Sequence, residues 1–91
     1  KDAVSKMLDT ACSDEYEQKL SDFISSHEGV DRIDMLHTRM FGNKIYIDAE
    51  IAVDGDKSLT EAHAIAEHVH HQVEKNFDNI KHIMIHVNPM A

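Results

Sequence analysis

Ninety-one residues carrying 17 acidic against 9 basic side chains, a formal net charge of −8, supply one small core and no second one. That balance excludes nucleic acid and anionic membrane surfaces as partners, because both select clustered Lys and Arg. Cys12 is the only cysteine, so an internal disulfide is excluded, and no apolar run reaches the ~18–20 residues of a bilayer span.

Lys1–Ala11 places Val4, Met7, Leu8 and Ala11 at helical spacing, a short and weak pattern. Residues 1–12 are therefore expected to be a lead-in and 13–91 the folded domain. The first residue is Lys rather than Met, which suggests a piece of a longer chain. Ser13 or Asp14 suits an N-cap, and Tyr16, Leu20, Phe23 and Ile24 give one apolar stripe, predicting a helix over Asp14–Ser26. His27-Glu28-Gly29 ends it, with Gly29 suited to a turn.

Val30–Met40 is the first predicted strand, and Phe41-Gly42-Asn43-Lys44 a hairpin turn. Ile45–Val53 is the clearest strand. Ile45, Ile47, Ala49, Ile51 and Val53 share one face; Tyr46, Asp48, Glu50 and Ala52 share the other. A helix follows over Ser58–Phe77, opened by a Ser58/Glu61 capping box. Its apolar stripe is Leu59, Ala62, Ile65 or Ala66, Val69, Val73 and Phe77. Ile80–Val87 is the last predicted strand, stopped by Pro89. The order helix, strand, strand, helix, strand predicts an α+β, ferredoxin-like two-layer sandwich with two helices on one face of a three-stranded sheet.

Two groups of side chains exceed what such a fold needs. Strand parity puts Asp48 and Glu50 with His82, His86 and Asn88 on the face away from the helices. The second helix carries His63, His68, His70 and His71 with Glu67 and Glu74 among them. Carboxylates and imidazoles gathered together are metal ligands by type, suited to Zn(II), Mn(II), Fe(II), Co(II), Ni(II) or Cd(II). The plain alternative for each is a solvated surface residue. His37, on the first strand, is a secondary candidate, and His27 reads as a helix-end residue beside the C-terminal dipole. Met35, Met40 and Met84 read as core or interface packing, and Cys12, in an unanchored lead-in, as structural or incidental. No nucleophile elbow, Walker loop or dinucleotide fingerprint is present, so no enzyme is expected.

Gly29-Val30, Leu36-x-Thr38-Arg39, Gly42, the strand with Asp48, Ser58-Leu59-x-x-Ala62-His63-x-x-Ala66 and Ile85-His86-Val87-x-Pro89 together resemble the C-terminal cytosolic domain of cation diffusion facilitator transporters. The resemblance spans Asp14–Pro89. It implies a domain on the cytoplasmic side of a membrane, preceded by a transmembrane part that exchanges divalent metal for protons. It also implies a V-shaped homodimer that binds metal and tightens. By the same resemblance His63, His86 and Asp48 or Glu50 are metal ligands, with a further one near Asp34. Asn88 stands where some members carry an acid and Glu50 where some carry His; both favour harder ions. The rival readings are a small-ligand regulatory domain of the same fold and a purely structural dimerisation module.

Overall fold

The computed structural model describes residues 11–90, so the weak helical pattern within residues 1–10 lies outside the described residues. The elements are α1 (Asp14–Ser25), β1 (Arg32–Phe41), β2 (Lys44–Asp54), α2 (Leu59–Asn76) and β3 (Ile80–Met90). The strands form one sheet in the order β1-β2-β3, antiparallel between β1 and β2 and parallel between β2 and β3. α1 lies against β1, α2 lies against β3, and the helices touch each other. This is the predicted two-layer α-β-β-α-β sandwich.

Both helices start where their capping chemistry places them. The Ser13 hydroxyl accepts from the Tyr16 N–H at 3.1 Å, which satisfies a first-turn donor of α1. At α2 the box is reciprocal: Ser58 Oγ accepts from Glu61 N–H at 3.1 Å, and Glu61 Oε1 accepts from Ser58 N–H at 2.9 Å. Ser58→Ala removes one half of this exchange. It is expected to lower stability by about 1 kcal/mol in a urea melt, with α2 losing amide protection at its first turn before the strands do.

The core follows from parity. Ile45, Ile47, Ala49, Ile51 and Val53 of β2 are buried beneath Leu20 and Ile24 of α1 and Ala66, Val69 and Val73 of α2. Leu59 departs from the predicted stripe: it is 87% exposed in the first turn of α2. Gly29 turns the chain between α1 and β1 with φ +94, a conformation that calls for glycine, and a Cβ there would also press on the end of the Ile65 side chain. Gly42 takes φ +65 at the first position of the two-residue Gly42-Asn43 hairpin loop, which matches a type II′ turn.

Two predictions need correction. β3 does not stop before Pro89 but runs through it to Met90, with Pro89 in register with Val53. β3 is an edge strand, where a residue without an N–H leaves no ladder bond broken. Second, Cys12 is anchored. It is buried in the core cluster, and its N–H donates to Thr38 Oγ1 at 3.2 Å. Thr38 is itself fully buried and donates its hydroxyl proton to Glu17 Oε2, so one hydroxyl ties the entry of the chain and α1 to β1. Beyond these, β1 does not alternate evenly along its length. Its register shifts between Ile33 and Met35, a bulge at Asp34. Ile33 and then Leu36, Thr38 and Met40 thereby face the helices, while Asp34, Met35, His37 and Arg39 face the open side.

Candidate metal centre

The bulge decides the site. It adds one residue to β1 opposite Glu50, which leaves Asp34 beside Glu50 on the sheet face that no helix covers. On the other side of β2, Asn88 lies two residues further along β3 than His86, the register partner of Glu50. Asn88 Nδ2 donates to Asp34 Oδ2 at 3.0 Å and to Glu50 Oε1 at 3.0 Å. One amide thus joins all three strands and holds two carboxylates around a single nitrogen. Arg32 Nε donates to the other Asp34 oxygen, Oδ1, at 2.6 Å.

These contacts set the charge state of Asp34. The Asn88 amide first, and then the Arg32 guanidinium, hold its carboxyl below the usual carboxylate range. A depressed folded-state value favours the native state above the ordinary Asp range, and the benefit is lost as pH falls through the folded value. Asn88→Ala should therefore move the Asp34 carboxyl back up toward its ordinary value. A 13C carboxyl titration checks this, and an unmoved Asp34 would mean that Arg32 alone sets it.

The donor chemistry of this cluster suits a divalent cation. An N–H2 group is the positively polarised object that two neighbouring carboxylates require, and it sits 3.0 Å from an oxygen of each. A cation shared by Asp34 and Glu50 answers the same need more strongly. Asp34 and Glu50 could offer such an ion carboxylate oxygens, and Asn88 its carboxamide oxygen once the amide turns over, a set that favours hard ions.

The other predicted site residues lie apart from this cluster. Asp48 is two residues up β2 from Glu50, about 7 Å along a strand, and faces Arg39 Nη2 at 4.0 Å. His37 is its register partner on β1. His82 stands beside Tyr46, with ring centroids 6.5 Å apart. His86 is exposed on the edge strand, where it borders a groove between β3 and α2. His63 and Glu67 border the same groove from α2, with His63 Nε2 3.7 Å from Glu67 Oε2. His27 meets its sequence reading: its Nδ1–H donates to the Phe23 carbonyl at 2.8 Å, closing the end of α1. Among the described residues no group of three or more His, Cys, Asp or Glu is close enough to hold one ion. The Asp34–Glu50 pair completes a triad only through Asn88.

Sequence reasoning placed Tyr46 on this face but missed Arg32 and Arg39 as its neighbours. The signal that finds them is the pairing of β1 with β2, which juxtaposes Arg39 with Tyr46 and Arg32 with Ala52.

Comparison with known proteins agrees with this architecture. Residues 12–90 match the family described as cation efflux protein, cytoplasmic domain. A cation-efflux pump, FieF of Citrobacter koseri, is 31% identical over 90 residues, 99% of this chain and 30% of that protein. The manganese efflux system protein MneP of Bacillus subtilis is 24% identical over 87 residues, 96% of this chain and 29% of its own length. The chain thus spans under a third of these relatives. Among solved structures, a double variant of the MamM CTD superposes with a TM-score of 0.83 at 20% identity, covering 87% of this chain and 100% of that one. A MamM-CTD structure at 25% identity gives a TM-score of 0.78 over 84% of this chain and 98% of that one. No helix among the described residues is long and apolar enough to cross a membrane. By the extent of the match, the chain belongs to the cation efflux protein family and is its cytoplasmic domain.

Proposed function

We propose that this domain binds divalent metal on its open sheet face and answers by closing a homodimer, within a longer chain that exchanges divalent cations for protons across a membrane. The observation that carries the reading is the Asn88 amide shared by Asp34 and Glu50 across all three strands. Relatives named for manganese efflux and cation efflux support it, as do MamM CTD variants solved in cadmium and nickel forms. Residues 1–12 then serve as the lead-in from the transmembrane part, with Cys12 as the point where that lead-in enters the core.

Asp34, Glu50 and Asn88 hold the ion in this reading, and it supplies positive charge to an acidic surface. Asp48, His86 and His63 are the remaining ligands, contributed where a second copy approaches; His37 and His82 border them. Each copy carries a formal net charge of −8, so two copies repel until that charge is locally offset. A ligand moves such an equilibrium only by its differential affinity for the two forms. A difference of ~1–3 kcal/mol suffices for regulation.

Calorimetric titration of the 91-residue chain with Mn(II) and Zn(II), paired with small-angle scattering, tests the reading. Binding with a fall in radius of gyration is expected, reversed by a chelator, and the fall in radius of gyration is expected to be lost in Asp34→Asn/Glu50→Gln. A metal-blind dimer whose scattering never changes would instead be a structural dimerisation module.

A further inference from the structure

The histidines of α2 remain largely unused by the sheet-face reading. Residues 67–74 read Glu-His-Val-His-His-Gln-Val-Glu, which places Glu67, His70, His71 and Glu74 in a symmetric E-x-x-H-H-x-x-E pattern. Residues four apart lie on the same side of a helix. The side chains use that placement: His71 Nε2 is 3.3 Å from Glu67 Oε1, and His70 Nε2 is 3.3 Å from Glu74 Oε1. The His70 and His71 rings meet edge to face with centroids 5.6 Å apart, so the two pairs are neighbours around the helix.

We propose that the solvent face of α2 carries a second set of divalent-ion sites, the chelating pairs Glu67–His71 and His70–Glu74. With its proton on Nε2 each imidazole donates to the carboxylate oxygen 3.3 Å away; with its proton on Nδ1, Nε2 and the carboxylate oxygen both present lone pairs to the same gap, which then suits a cation. A proton and a metal ion compete for that place. A tetrahedral ion with bonds of ~2.0–2.1 Å sets neighbouring donors about 3.3 Å apart, which is the spacing found. The His71 side chain is 68% exposed and that of Glu67 54%, so water completes the coordination without rearrangement of the fold. The mixed nitrogen and oxygen donors select borderline ions such as Zn(II), Ni(II) or Co(II), whereas Asp34, Glu50 and Asn88 on the sheet offer oxygen alone. The two sites share no residue, so neither rests on the other.

Zn(II) is the probe. Wild type, His71→Gln/Glu74→Gln and Asp34→Asn/Glu50→Gln are titrated, while long-range 1H–15N spectra follow the imidazole nitrogens. The helix positions are exposed, and circular dichroism confirms that their variant folds. In wild type the Nε2 resonances of His70 and His71 are expected to move on Zn(II) addition. The helix variant should bind at least one fewer Zn(II) per chain, and the sheet variant should keep the His70 and His71 response. Unmoved imidazole resonances would mean ordinary ion pairs and overturn the proposal. So would a helix-variant isotherm identical to wild type, or loss of the helix response in the sheet variant.

Discussion

Asn88→Asp is expected to weaken the metal-free fold and strengthen metal binding at once. In the native chain the Asn88 amide donates at 3.0 Å to both Asp34 and Glu50, so it holds two like charges together. An aspartate there removes both donated hydrogen bonds and adds a third negative charge within the cluster. At an effective dielectric suited to a protein surface, two unit charges 4 Å apart repel by about 4 kcal/mol, and by about 1 kcal/mol in bulk water. Solvent reaches this face, so a net loss of ~1–2 kcal/mol in a metal-free urea melt is expected. With Mn(II) present the sign reverses, because a third carboxylate replaces a neutral ligand. Affinity should then rise about 10-fold or more, each tenfold step being worth 1.4 kcal/mol. Melts and Mn(II) titrations of the same sample check both halves. An unchanged metal-free melt together with unchanged affinity would show that Asn88 does not govern this cluster.

Ile47→Ala should cost more stability than any surface change. Ile47 is fully buried at the middle of the central strand, beneath both helices. Truncating a buried Ile to Ala typically removes ~2–5 kcal/mol, through lost transfer energy and the cavity left behind. A domain of this kind has ~5–15 kcal/mol in all, so the variant gives up a large share of it. Lys81→Ala, exposed on the neighbouring strand, should stay within about 0.5 kcal/mol. Denaturant midpoints with a common slope are the measurement. A loss below 1 kcal/mol for Ile47→Ala would mean that α1 and α2 do not close over β2.

Much of this was legible before the fold was known, and the reasons are local. The capping box, the alternation of Ile45 to Val53 and the glycines at turns each express a rule that acts within a few residues. What failed was non-local. The bulge at Asp34 is set by how β1 pairs with β2, and nothing in Ile33-Asp34-Met35 announces it. Without it, Asp34 could be placed near the site only by resemblance. Pro89 was read as a stop because a proline breaks a central strand; only the strand order makes β3 an edge that tolerates it. Parity grouped Asp48 with Glu50 correctly. It could not say that Glu50 would meet Asn88 while Asp48 faced Arg39, since that depends on registers on both sides of β2.

The hydrogen bonds that join Asn88 to Asp34 and Glu50 span 54 and 38 residues of sequence. During synthesis the carboxylates leave the ribosome long before the amide that gathers them. No shortened product ending ahead of Asn88 can assemble the trio, and a misthreaded last strand cannot either. Any ion that prefers the finished trio over the loose chain therefore rewards completed molecules alone, and its presence in the cell would favour survival of the full-length product over its fragments.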